Sequence, residues 1–437
     1  MKSQISLDFM IAFLLFLTFF SWLTYIFASS IQFPLPSSRE ASDAIKKILY
    51  SPGIPPDWEN KTKYSQTGEY KDNIIRPGIA GNFYLIPVLI NFSQASNWPF
   101  GLDISFPENT DFNSIKVYDL NLGLQPSLWD GKVYWEGNTT SIDLFYIFYS
   151  LYSNFTKVEP KGLTFNETQP DIFEINNSNN VSFIMEKSLI NLTNNNSQVL
   201  KITQDSGITF NNDKECNKNS NIEWVVNNSL RRELKVSWSG SGYSIEKRIV
   251  FFYNQPFWIE KLKLSVSSNL VTGFKWGVNS SSNTWNKMNY GSGEENIGFL
   301  NESLSNTQGW LDCYSSSDNS YDFGFIVTNE SDNWPDLYLN VFPHTGGYWI
   351  GISTSSNSKF NTGDYYLEMV YVLGNSTKVQ EIKNLIEKEI KIKIGKEKPF
   401  IALSYEKLER IREFSYDDIR KFFGTKHFDF YLTTQIF

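Results

Sequence analysis

The stretch Tyr243-Ser-Ile-Glu-Lys-Arg-Ile-Val-Phe-Phe-Tyr253, followed by Asn254-Gln255-Pro256 and then Phe257-Trp-Ile-Glu-Lys-Leu-Lys-Leu-Ser-Val266, decides the fold class. Both arms are rich in β-branched and aromatic residues, and three turn-favouring residues separate them, so an antiparallel hairpin is expected. Similar short runs lie on either side. Downstream, residues 323–327, 337–342, 348–353 and 365–373 read as strands, and upstream so do 84–90, 102–106, 115–120, 132–135 and 144–149. Each is bounded by Asn, Ser, Gly or Pro, as expected of strands joined by turns. Even spacing predicts a small sandwich over 83–152. A linker near 153–162 leads to a larger β region over 163–376. Val379, Ile382, Leu385 and Ile386 then recur at helical spacing, predicting a closing helix within 377–395.

The first 30 residues have a different character. Lys2-Ser3-Gln4-Ile5-Ser6-Leu7-Asp8-Phe9 precedes an apolar run to Ala28, and no charge follows Asp8 until Arg39. About 20 apolar residues suffice to cross a bilayer as a helix, and a carboxylate at its start calls for a partner. The pattern resembles the class III signal peptides of archaeal type IV pilins and archaellins. That resemblance implies residues 1–3 as leader, cleavage between Ser3 and Gln4 by a prepilin peptidase, and a transmembrane pilin-type helix over 4–28. It also implies subunit assembly through Gln4, Ser6, Asp8 and Phe9, with Asp8 pairing the freed amine of a neighbouring subunit. The sequence departs from the family in having Ser3 where Gly is usual and Asp8 where Glu is commoner. A secretory signal with a short apolar core and a plain anchor are the alternatives. Lys2 on the inner side places the body outside the cell if the segment spans.

Pro34 and Pro36 interrupt the helix, and Ser37 with Glu40 makes a capping box for a second one. Ser51-Pro52-Gly53 ends it. Residues 44–59 and Arg76-Pro-Gly-Ile-Ala80 are similar to the stem of archaeal pilins, whose continuation is found only from Phe400 onward. Ser404 and Ser415 can cap helices there, Gly424 is a good terminator, and 428–436 alternate as a strand. The expected fold class is therefore mainly β with an N-terminal transmembrane helix. A split pilin-like α/β stem, 29–82 and 396–437, carries inserted antiparallel β-sandwich domains.

Composition agrees with an exported chain. The 437 residues suffice for two or three domains. The net charge of −8 carries no basic block beyond a mixed stretch at 388–398, which argues against nucleic acid as a partner. Fourteen Asn-x-Ser/Thr sequons, from Asn60 to Asn375, suit a glycoprotein surface. Cys216 and Cys313 are the two cysteines, and outside the cell a disulfide between them is a candidate.

The hairpin phrase Ile245–Tyr253 with Pro256-Phe-Trp-Ile-Glu260 resembles the galactose-mutarotase-like super-sandwich of sugar epimerases and polysaccharide lyases. Such enzymes need an acid and a base near neutral pH. The two histidines are His344, between two strands, and His427. Glu246, Glu260 and Glu368 fall in strands, where solvated faces or edge guards are the usual role. No phosphate loop, Cys/His metal spacing or nucleophile elbow is present. Asn211-Asn-Asp213 and residues 318–322 offer oxygen donors of the kind Ca²⁺ prefers, without a defined loop spacing. Aromatics make up 16 % of the chain, most of them expected in cores. Trp285 and Tyr290 lie in a Ser/Asn/Gly-rich stretch and, with His344, are the candidate glycan-binding residues.

These readings lead to a non-enzymatic, archaeal pilin-like cell-surface protein without cofactor or metal. It is expected to be a minor or tip subunit of a filament bearing an adhesive or glycan-binding β region. Its partners are then the membrane, prepilin peptidase, the pilus assembly machinery, other pilin subunits and surface glycans. It is expected in the cell membrane as a single-pass protein with an extracellular body, or in an extracellular filament. The alternative is a membrane-anchored carbohydrate-binding or carbohydrate-active ectodomain that does not polymerise.

Overall fold

The computed structural model describes residues 83–400, apart from short stretches at 93–94, 153–154, 170, 178–180, 187, 195–196, 281–284, 292, 317–321, 345 and 375. The chain divides into two compact units. One comprises Met1–Phe83, Leu151–Ser153 and Pro399–Phe437, almost all outside the described residues. The other comprises Tyr84–Ser150 and Asn154–Lys398 and holds the β architecture.

The deciding hairpin forms as read. Strands Tyr243–Phe252 and Phe257–Val266 pair antiparallel, from Tyr243 opposite Val266 to Phe251 opposite Trp258. Asn254 opens the turn at φ 54°, a left-handed conformation that asparagine tolerates better than most residues. Alternation sends Tyr243, Ile245, Ile249 and Phe251 to one buried face, as a half-buried strand requires.

The hairpin lies within a nine-stranded antiparallel sheet, flanked by Arg231–Gly240 on one side and Gly363–Leu373 on the other. An eleven-stranded sheet faces it, with Tyr338–His344, Gly347–Ser353 and Phe274–Ser280 as successive neighbours. Between the two lies one large core that includes Phe183, Trp258, Trp276, Phe323 and Tyr371. Trp258 stacks on Tyr371 at 4.9 Å between ring centroids. Full burial of a large apolar side chain contributes roughly 1.5–3 kcal/mol, so these rings dominate the cohesion of the sandwich.

Residues 83–151 form two smaller sheets. One runs through Phe83–Asn91, Ile142–Leu151 and Thr110–Tyr118, the other through Ala95–Leu102, Val133–Thr139 and Ser127–Trp129. Their core holds Phe100, Trp135 and Phe145. Trp98 leaves this group to meet Phe257 of the large sandwich at 5.6 Å.

Helix Ser376–Ile386 buries Val379, Ile382 and Leu385. It packs close over Gly324, where an added Cβ would stand 2.5 Å from Val379 Cγ2. The expected closing helix over 377–395 is thus shorter in the structure. Lys391–Ile394 is instead a strand paired with Phe83–Asn91, Val88 opposite Ile394. The Lys-Ile-Lys-Ile alternation has the strand period of two.

The expected fold class requires correction. Among the described residues the unit is built of β-strands with two α-helices, Leu304–Thr307 and Ser376–Ile386. No described helix is long and apolar enough to cross a membrane, and no pilin-like α/β stem is shown. Residues 1–82 and 401–437 lie outside the described residues, and with them Ser3, Gln4, Ser6, Asp8, Phe9 and His427. The candidate disulfide is not formed. Cys216 and Cys313 are both free, and Cys313 is a core residue of the strand Trp310–Tyr314.

Candidate functional site

Of the three glycan-binding candidates, Tyr290 borders a cleft. The cleft has a volume of about 370 Å³ and is lined by residues from three segments. The hairpin formed by Lys287–Tyr290 and Gly293–Asn296, at the edge of the nine-stranded sheet, supplies Asn289, Tyr290, Gly291 and Gly293. The end of the short helix Leu304–Thr307 and the strand after it supply Gln308 and Trp310. Helix Ser376–Ile386 supplies Gln380, Lys383 and Asn384. These three stand at i, i+3 and i+4 and therefore share one face.

The chain geometry holds the segments together. Gln308 has φ 53°, and its Nε2 lies 3.5 Å from the carbonyl oxygen of Gly291. The Gly291 amide donates to Thr307 O at 3.3 Å, so the hairpin tip is tied to the short helix. Tyr290 is 6 % exposed and donates its hydroxyl to Glu295 at 2.9 Å; Trp310 is 5 % exposed. Both rings serve as wall rather than as open platforms. The polar lining consists chiefly of amide side chains, each carrying two donors and an acceptor. Its one cation, Lys383, pairs with Glu387 four residues on. The cleft is therefore close to neutral and rich in hydrogen-bonding groups, which suits an uncharged polyhydroxyl ligand.

The other two candidates lie elsewhere. Trp285 is 2 % exposed and stacks on Phe323 at 5.9 Å and 8° between planes, so it is a core residue. The Ser/Asn-rich context concealed this because the partners come from a distant strand. His344 ends the strand Tyr338–His344 on an exposed position opposite Gly347, in the other large sheet. Two residues before it, Phe342 lies between Phe299 at 5.3 Å and Trp349 at 5.5 Å, and Phe299 is 69 % exposed. Trp349 covers Gly277, where an added Cβ would stand 2.7 Å from the indole. This ring series is exposed at Phe299 and belongs to the other large sheet from Tyr290.

The strand carboxylates also separate. Glu246 binds Arg248 at 2.8 Å and Lys235 at 3.6 Å, and Glu368 binds Lys261 at 2.6 Å. Glu260 is buried and lies 2.9 Å from the equally buried Lys247, which is 2 % exposed. Glu215 completes this internal set at 3.4 Å from Lys247. Sequence reading did not single out Lys247, although it shares the apolar parity of Ile245 and Ile249. Asp213, a Ca²⁺ candidate, is taken up by Lys218 at 2.8 Å and the Tyr243 hydroxyl at 2.6 Å, which hold its carboxyl below the usual range. No cluster of potential metal ligands occurs among the described residues.

No protein-family model matches the chain, and no curated protein is similar to it. Among solved structures it resembles a glycosyl hydrolase family 38 protein from Enterococcus faecalis, at 8 % identity and a TM-score of 0.42, over 71 % of this chain and 47 % of that one. It also resembles a mutarotase-like protein from Salmonella typhimurium at 6 % identity and a TM-score of 0.32, over 48 % of this chain and 94 % of the other. A third is a GalM/aldose epimerase homologue from C. elegans, at 10 % identity and a TM-score of 0.28, over 48 % and 98 %. The chain spans about half the length of the family 38 protein. The resemblance to aldose-epimerase sandwiches is weak, and nothing in the comparisons supports a pilin family. The expectation of a non-enzymatic chain is withdrawn, since the solved structures it resembles include enzymes; at this similarity they establish no activity here.

Proposed function

We propose that this chain is a cell-surface β-sandwich protein that binds a neutral glycan in the cleft between Tyr290, Gln308 and the helix Ser376–Ile386. The observation that carries this reading is the lining of the cleft, an amide-rich set from three segments with its single cation already paired. Amides offer donor and acceptor side by side, the pattern that adjacent sugar hydroxyls satisfy. Export is the second element. It is supported by the apolar run to Ala28 and by sequons whose asparagines, Asn138, Asn166, Asn227, Asn301 and Asn329, stand exposed. Asn279, in contrast, is buried and donates to Ser206, so that sequon is not an acceptor.

Titration of the full-length protein against a panel of neutral oligosaccharides tests the reading. Saturable binding that weakens at least tenfold in Gln380→Ala and Asn384→Ala supports it. Absence of binding across the panel, or binding indifferent to both changes, rejects it. A mature N-terminus at Gln4 would support the export route, and one at Met1 would reject processing there.

A further inference from the structure

The buried set around Lys247 has an arrangement that the cleft does not use. Lys247 Nζ lies 2.9 Å from Glu260 Oε2 and 3.4 Å from Glu215 Oε1, and it donates to the carbonyl of Ser188 at 3.1 Å. All three charged side chains are at most 3 % exposed. Glu215 is held at both oxygens. Oε2 accepts from the Ile208 amide at 2.7 Å, and Oε1 accepts from the Ser188 hydroxyl. Gly207 leaves room for this, since an added Cβ would stand 2.4 Å from Glu215 Oε2. Glu260 Oε1 accepts from the Trp258 indole at 3.2 Å.

One cation here serves two carboxyl groups in a water-poor core, a costly arrangement unless charge is removed. We propose that Lys247 and Glu215 join in an intramolecular amide bond, with Glu260 as the base. The three groups are within contact distance, are fixed by separate hydrogen bonds and are shielded from bulk water. Such confinement replaces a bimolecular condensation with an internal one.

In the proposed starting state Lys247 is an ammonium, Glu215 carries the one proton shared between the two acids, and Glu260 is a carboxylate. Burial pushes Glu215 above the usual carboxylate range. Burial also acts to lower Lys247, but the Glu260 carboxylate at 2.9 Å favours the ammonium, so a base in contact is required. Glu260 takes a proton from Nζ, and the freed lone pair attacks Cδ of Glu215. Negative charge develops on Oε2, which the Ile208 N–H faces, the role such donors play in acyl transfer, while Oε1, beside Nζ, is the departing hydroxyl. A second nitrogen proton goes to the departing hydroxyl, the Cδ–O bond breaks, and water leaves. Glu260 ends as a neutral acid. No oxidant or reductant enters, and the product carries no buried charge.

The bond would connect residues 32 apart, tying the segment after Gly207–Phe210 to the strand Tyr243–Phe252. Mass spectrometry of the denatured full-length protein and of its protease digest provides the test. The expected result is a chain lighter by one water, with one branched peptide containing Lys247 and Glu215. Lys247→Met and Glu215→Ala are expected at full, unreacted mass, and Glu260→Gln likewise. A wild-type protein at full mass, with Lys247 and Glu215 in separate peptides, overturns the proposal whether or not the variants fold. A cross-link from Lys247 to Glu260, or one that survives in Glu260→Gln, overturns the assigned roles.

Discussion

Lys247 and Glu260 stand on neighbouring strands of one hairpin with their charged atoms 2.9 Å apart, inside a core of aromatic and aliphatic side chains. Until the amide forms, the ion pair there is held by its partners rather than by water. Lys247→Met, which cannot form the amide, deletes the cation of the unreacted set and leaves the Glu260 carboxyl group without its partner. Breaking a buried pair by removing one partner costs about 3–5 kcal/mol. Urea denaturation of the variant should show that loss, and a change below about 1 kcal/mol would contradict the burial described.

The parity of Lys247 was visible in the sequence, since it alternates with Ile245 and Ile249 on the face that turned out to be internal. What was not visible is the acid that meets it from the Glu215 turn, because Glu215 precedes it by 32 residues in another segment. The hairpin itself was legible for local reasons, namely β-branched arms and an asparagine able to adopt positive φ. The helix was legible through the spacing of Val379, Ile382 and Leu385. Its end was not, because the exposed Lys391–Ile394 strand owes its order to pairing with Phe83–Asn91. The cleft was legible at one residue, Tyr290. Gln308, Gln380 and Asn384 carry no motif and acquire a common purpose only where three separate segments meet.

Glu136 gives a pH dependence with a defined sign. It lies on the strand Val133–Thr139, is buried, and its Oε1 has no hydrogen-bond partner. Burial pushes its carboxyl up to about 8, only partly offset by a hydrogen bond with Gln255. The unfolded chain ionises this group from its ordinary value of 4.5 upward, while the folded chain keeps its proton until about 8. Across that window the unfolded state binds fewer protons, so this contribution to stability falls as pH rises and levels off above the window. Thermal unfolding between pH 5 and 8 should show a smaller decline in Glu136→Gln than in the parent. Equal slopes would remove Glu136 as the cause.

Gly324→Ala tests how closely the helix is seated. The added methyl would lie 2.5 Å from Val379 Cγ2 and 2.8 Å from the Leu311 carbonyl oxygen, so backbone and helix must both shift. Overpacking of this kind typically costs 1–3 kcal/mol. Because Gln380 and Asn384 ride on the same helix, the variant should also bind glycan more weakly than the parent at matched folded fraction. Parent-like stability would mean the helix yields freely.

Trp285→Ala and Asn384→Ala should separate core from cleft. Trp285 is packed against Phe323 with no exposed face to offer a ligand, and replacing a buried tryptophan by alanine costs about 3–5 kcal/mol. Asn384 is exposed on the helix face that borders the cleft, where a surface change usually stays within about 0.5 kcal/mol. The expected pattern is therefore opposite in the two assays. Trp285→Ala lowers the denaturation midpoint and leaves the affinity of the remaining folded molecules intact, while Asn384→Ala keeps the midpoint and lowers affinity. If Trp285→Ala weakens binding at unchanged stability, the ring belongs to the ligand site and its position in the core is wrong. If Asn384→Ala changes neither quantity, the amide face of the helix is a solvated surface and the glycan must be sought at the Phe299, Phe342 and Trp349 rings instead.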